Sequence, residues 1–194
     1  MTIRTIVPPS IEPVSLAQAK AQLRVDHAHE DALIEMLIRA AREQAEHRTG
    51  RALITRTVEL SLDAFPAGPI DLQMPIAQSI VSVSYVDAAG NVQVLDPLDY
   101  SLDAYTLPAG WLHPSAALGA WPATARTANA VRIEFVCGYG AAPESVPAPI
   151  RMWILSRVGT MYKFREEIAA GLSVSDIPAI YADGLLADFR VLRV

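Results

Sequence analysis

Apolar residues recur at helical spacing near both ends of this chain and alternate with polar ones in between. Ser15 and Gln18 have the spacing of a capping box, in which hydroxyl and amide each satisfy a backbone group left open at a helix start, so a short helix is predicted over Leu16 to Leu23. Asp26 is placed to cap a second helix that runs to about Arg48 and stops at Thr49-Gly50. At 100° per residue, Leu33, Ile34, Leu37, Ile38, Ala41 and Ala45 fall on one side of it. Glu35, Arg39, Arg42, Glu43 and Glu46 fall on the other, which predicts a core face and a solvated face.

After Ile54 the period changes to two. Val58, Leu60 and Leu62 alternate with polar neighbours, as do Val81, Val83 and Tyr85, and then Val131, Ile133 and Phe135, so each set predicts a half-buried strand. The Asp87-Ala-Ala-Gly-Asn91 turn joins Ser79–Val86 to Val92–Leu95 as a hairpin, and a small antiparallel sheet follows. Pro114 to Asn129, with Trp121 near its middle, has no period and is expected to be a long surface loop.

Prolines near 147–149 can occupy a helix start, where a missing N–H costs nothing, and predict a helix over about Pro149 to Arg165. Ile150, Ile154, Val158 and Met161 form its main stripe, but Trp153, Phe164, Met152, Leu155 and Gly159 spread apolar or small groups around the circumference, and Arg157 sits close to the stripe. A helix apolar on most sides is buried on most sides, and neighbouring copies are the economical cover. Trp153, Arg157, Met161, Phe164 and Arg165 are therefore the expected subunit interface.

Composition fits this picture. Charged residues are 19% against 52% hydrophobic, fewer charges than the surface of a lone monomer usually carries, although an alanine-rich host composition would give the same figure. A net charge of −5 disfavours a surface that grips nucleic acid by its phosphates. The lone Cys137 excludes an intramolecular disulfide and a cysteine-rich zinc site, and a reducing compartment fits best. No signal-like segment or bilayer-length apolar run is read, so a soluble protein made in the cytoplasm is expected.

Candidate chemistry is sparse. His27, His29 and Glu30 are the nearest thing to a metal set, but on a helix start the two imidazoles would diverge, so no metal site is expected. Cys137 ends an alternating strand, where a small buried thiol is the commoner use, and His47 and His113 have no evident catalytic partner. Gly138-Tyr-Gly140 lacks the features of a phosphate loop. No catalytic residue, metal or cofactor is therefore assigned.

Several blocks recur together in one order: Pro13-x-Ser-Leu-x-x-Ala-Lys-x-x-Leu-Arg-Val25, Glu30-Asp-Ala-Leu-Ile34, and Ala40-Ala-Arg-Glu-x-Ala-Glu-x-x-Thr-Gly-Arg-Ala-Leu-Ile54. Ile80 to Asp87 with the Gly90 turn, Phe135-Val-Cys-Gly-Tyr-Gly140, and Val146-Pro-x-Pro-Ile150 leading to Met161-Tyr-Lys-Phe-Arg-Glu166 continue the set. Together they resemble the head-tail connector, or adaptor, proteins of long-tailed bacteriophages and of phage-like gene transfer particles. The resemblance covers the chain to about residue 166.

The resemblance implies an α+β fold: a helical bundle, made of the N-terminal helix pair plus a C-terminal helix, with an inserted small antiparallel β-domain and an extended C-terminal arm. On this chain the parts are 1–56, 57–137, 138–166 and 167–194. The function implied is structural and not enzymatic. About twelve copies would form a ring under the portal, extend the channel through which DNA passes without specific binding, and meet a neck or tail-completion protein. No membrane is involved, and the place of action is the neck of the particle. Leu185, Leu186 and Phe189, flanked by Arg190 and Arg193, are expected to be a portal-docking arm that orders on its partner, the alternative being a tail that packs back on its own domain. The alternative is a small cytoplasmic α+β enzyme, which would need a pocket with convergent polar groups.

Overall fold

The alternating middle of the chain builds a β unit from residues 1–10 and 55–139, and the helical ends build a second unit from residues 11–54 and the described residues beyond 140. The computed structural model describes residues 1–74, 76–105, 110–164 and 184–191. In chain order the elements are β1 (Thr2–Val7), α1 (Leu16–Leu23), α2 (Asp31–Thr49), β2 (Arg56–Leu62), β3 (Ile70–Asp71), β4 (Ala77–Val86), β5 (Val92–Val94), β6 (Tyr100–Asp103), β7 (Trp111–Pro114), β8 (Val131–Cys137) and α3 (Ala148–Lys163).

In the β unit, a five-stranded sheet has the order β1-β2-β8-β4-β5, and all its pairs are antiparallel. β8 lies at the centre because it pairs on both sides. Val58 faces Phe135 and Leu60 faces Ile133 across one ladder, while Ile80 faces Phe135 and Val83 faces Ile133 across the other. Val58, Leu60, Val83, Val131, Ile133 and Phe135 are fully buried, the two-residue period turned directly into a core. Fully burying a side chain of this size contributes on the order of 1.5–3 kcal/mol. A second sheet, β3-β7-β6, buries Ile70 and Leu112. Gly110 beside it has no room for a side chain, since a Cβ there would lie 2.6 Å from that of Ala77.

Three expectations about the β unit change. Thr2–Val7 forms an edge strand although its residues are mostly exposed, so it carried no core pattern to read. Val81 is exposed, not inward-facing, because the pairing of β4 with β8 shifts between Ile80 and Ser82 and flips the intervening side chain. The 114–129 stretch begins in β7 and is anchored: Trp121 stacks on Phe65 with ring centroids 5.0 Å apart and donates its indole N–H to the Gly68 carbonyl at 2.9 Å.

The helical unit begins as the local rules require. The Ser15 hydroxyl accepts the Gln18 N–H and the Gln18 side chain accepts the Ser15 N–H, completing the capping box of α1. α2 ends at Gly50, whose positive φ of 69° is the left-handed stop that glycine adopts without strain. Its start differs from expectation. Asp26 caps nothing; Arg24 turns left-handed after α1, and Lys20 Nζ reaches across to the His27 carbonyl at 2.7 Å and to Asp31 Oδ1 at 2.6 Å. That tether holds residues 25–30 as a loop and delays the helix to Asp31.

The core of this unit comprises Ile34, Ile38, Ala41, Ala45 and Thr49 of α2, Ala19 of α1, and Ile150, Trp153, Ile154 and Val158 of α3. Residues 184–187 form a short helical turn that also reaches it, with Leu186 buried.

Candidate functional site

α3 is the element on which the sequence placed a surface for self-association. Pro147 and Pro149 stand at its start, where the first turn needs no N–H from them. Its inner side is settled within the chain. Trp153 is only 3% exposed and lies under the Arg48 guanidinium, 5.5 Å from the ring centroid. Arg157 Nε donates to Gln44 Oε1 at 2.8 Å, and the Tyr162 hydroxyl donates to the Glu30 carboxylate. Met161 is half-buried. Of the expected interface residues, Phe164 remains 40% exposed at the helix end, and Arg165 lies outside the described residues.

The outer side of α3 has a different make-up. Met152 is 54% exposed, Ser156, Thr160 and Lys163 are exposed, and Leu155 and Gly159 are half-exposed. This stripe of apolar and small groups is the part of α3 that the described residues leave uncovered, and the wheel alone could not separate it from the inner side.

Behind α2 lies a charged cluster that sequence reasoning placed in solvent. Arg42 and Glu46 are buried, not exposed, and the guanidinium donates to Glu12 at 2.7 Å, to Glu46 at 2.8 Å and to Glu43 at 3.3 Å. Glu46 also accepts the Leu53 N–H at 3.1 Å. Burial pulls the Arg42 pKa down, but Glu46 and Glu12 outweigh it and the net direction is upward, so the cation is secure. The i,i+4 spacing of Arg42 and Glu46 was legible; the third member, Glu12, comes from a segment with no periodic signal and could not be placed.

Other candidates do not converge on chemistry. His27 and His29 do not diverge, because residues 25–30 are a loop and not a helix, and their rings lie 5.6 Å apart. Even so, the described residues contain no group of three or more His, Cys, Asp or Glu able to hold a metal. Cys137 is a buried thiol closing β8. A depression of about 410 Å³ is lined by Glu43, Gln44, His47, Arg48 and Arg157, a mixture of signs with no nucleophile and base in register. No helix among the described residues is long and apolar enough to cross a membrane.

The C-terminal residues expected to form a docking arm divide. Leu186 is buried in the helical unit, Arg51 Nε donates to the Phe189 carbonyl at 2.7 Å, and the Val191 N–H donates to the Thr49 carbonyl at 2.9 Å. Leu185 and Phe189 are half-exposed and Arg190 is exposed, while Arg193 lies outside the described residues.

Comparison with known proteins finds a fold likeness and one family match. The fold resembles three solved chains over 100% of this chain and 97% of each of theirs. One is described as the neck of an empty GTA particle computed with C6 symmetry, at 24% identity and a TM-score of 0.82. The others are a virion of a native gene transfer agent particle, at 24% and 0.78, and the neck of a native GTA particle computed with C12 symmetry, at 23% and 0.76. At such identities the likeness is one of fold. No curated protein matches the chain. The model of one family, described as phage gp6-like head-tail connector protein, matches residues 13–91.

Proposed function

We propose that this protein is a structural head-tail connector: copies form a ring of about twelve under a portal, extend the DNA channel, and join the capsid to the neck or tail. The observation that carries the reading is the agreement between a connector family match on residues 13–91 and a whole-chain fold likeness to chains of gene transfer agent necks, one of them computed with C12 symmetry. The role asks for surfaces and not for a reaction centre. DNA passes without specific binding, in keeping with the net charge of −5. The protein is made in the bacterial cytoplasm and works in the particle neck.

Self-association runs through α3. Met161 lies in its last turn, Phe164 is its C-cap and Arg165 is next in sequence, while Trp153 and Arg157 hold the helix from inside. The portal side is the C-terminal segment, with Leu186 as its anchor in the chain's own core and Leu185, Phe189, Arg190 and Arg193 as the groups offered to the portal. Adding the purified chain to portal-bearing capsids that lack it tests both statements. Wild type should mount as a ring, whereas Leu185→Asp with Phe189→Asp should remain folded and mount poorly. Normal mounting of that variant would remove the segment from the portal contact, and failure of wild type to mount at all would overturn the connector reading.

A further inference from the structure

α2 and α3 run antiparallel within the helical unit. Glu30, just before α2, meets Tyr162 near the end of α3; Gln44 meets Arg157 midway; and Arg48, late in α2, lies over Trp153 near the beginning of α3. Each helix also has an outer face with an apolar interruption. On α3 it runs through Met152, Leu155 and Gly159, and a Cβ built on Gly159 would meet no heavy atom within 4 Å, so the stripe has an open notch at its middle. On α2 the exposed face carries Ala32 and Met36, the latter 59% exposed, between Glu35 and Glu43. α3 contains Arg151, Arg157 and Lys163 and no acidic residue, whereas the exposed face of α2 carries Glu35 and Glu43 with exposed Arg39 between them, a net excess of one carboxylate.

We infer that the notch at Gly159 receives Met36 of a second copy of this chain, packing the outer face of α3 against the outer face of the neighbour's α2. The inference rests on the ring reading above and gives it a contact. A cyclic ring needs two different patches on each copy, one given to each neighbour, and these faces are two different patches. A twelvefold operator turns a copy by about 30°, so the neighbour's α2 keeps nearly the direction of its counterpart and meets α3 antiparallel. With Met36 over Gly159 and both helices rising about 1.5 Å per residue, Lys163 comes within reach of Glu35, and Glu43 comes level with Arg151 and Met152. A parallel alignment with Met36 over Gly159 would instead bring Arg39 level with Tyr162 and beside Lys163, basic group against basic group. The pairing also explains an otherwise costly choice, a glycine in the interior of an exposed helix.

The test exploits the open space at Gly159. Gly159→Trp fills the notch without touching the chain's own core, so the full-length variant should melt no lower than wild type yet mount on portal-bearing capsids at least tenfold less. Met36→Cys combined with Gly159→Cys, treated with a short bismaleimide on mounted rings, should give a ladder of covalent multimers, while each single-cysteine variant gives none. Normal mounting of Gly159→Trp, or wild-type-like rings that yield no ladder from the double variant, would overturn the contact and leave the ring standing. If wild type forms no ring on such capsids, the connector reading fails first and the contact falls with it.

Discussion

The two units solve the problem of a core in opposite ways. The β unit buries an unbroken apolar ladder, with Val58, Leu60, Val83, Val131, Ile133 and Phe135 inside and charged residues such as Arg4 and Glu59 paired at 2.9 Å outside. The helical unit buries an arginine among carboxylates and leaves Met36, Met152 and Phe164 uncovered. Exposed apolar groups occur on both units, among them Val81, Val92, Val94 and Leu98 of the β unit, so it is the charge cluster around Arg42 that separates the two. The lesson is that the sheet's core is held by apolar packing, whereas the core of the helical unit also depends on a buried charge cluster.

The sharpest way to break that comparison is to damage each core separately. Phe135→Ala should destabilise the β unit by about 3–5 kcal/mol, through lost burial and the cavity left behind. Arg42→Met should cost a similar amount, about 3–5 kcal/mol, for a different reason: it strands Glu46 in the interior. The double variant Arg42→Met with Glu46→Leu should recover much of that loss, since a packed apolar pair needs no counter-charge. Urea titrations followed at Trp153 for the helical unit, and at Trp111 and Trp121 for the β unit, check where each variant acts. A double variant no better than Arg42→Met alone would mean that the Leu53 N–H bond of Glu46, and not charge pairing, is the essential interaction.

A smaller effect sharpens the claim about the uncovered face. Gly159→Ala should stabilise the isolated chain by about 0.5–1 kcal/mol, because alanine is the better helix former and its methyl group meets nothing. A loss of stability in a thermal melt would show that the notch is already filled within the chain.

The smallest expected effect is confined to the β4–β5 turn. The Asp87 carboxylate accepts hydrogen bonds from the Gln93 side chain and from the Ala89 and Asn91 N–H groups, and the Gln93 bond is the foremost reason its pKa lies below the ordinary 3.8. A carboxylate with a depressed folded pKa stabilises fully above its unfolded value and loses that contribution as pH falls through the lower folded value. Amide exchange at Ala89 and Asn91 should therefore accelerate, relative to the rest of the sheet, only as pH drops below about 4. Asp87→Asn should remove this pH dependence.

What could be read from the sequence was what depends on near neighbours in the chain. The Ser15–Gln18 capping box, the Gly50 stop and the alternation of Val131, Ile133 and Phe135 are set within a few residues and appear as expected. The failures share a cause in contacts across the chain. Lys20 moves the start of α2 from Asp26 to Asp31, a bulge turns Val81 outward, and Glu12 draws Arg42 and Glu46 inside. β1 was missed because an edge strand exposed along most of its length shows no core pattern. For the candidate site, the excess of apolar groups on α3 was legible, but not the division that gives Trp153 to the chain's own core and Met152 and Gly159 to the surface.

The most direct test of the central claim is electron cryo-microscopy of portal-bearing capsids, lacking this chain, after addition of the purified protein. The connector account predicts a closed cyclic ring of the fold described above at the portal vertex, with neighbouring copies touching through their helices. Absence of the chain from that vertex, or copies held there without touching one another, would contradict it.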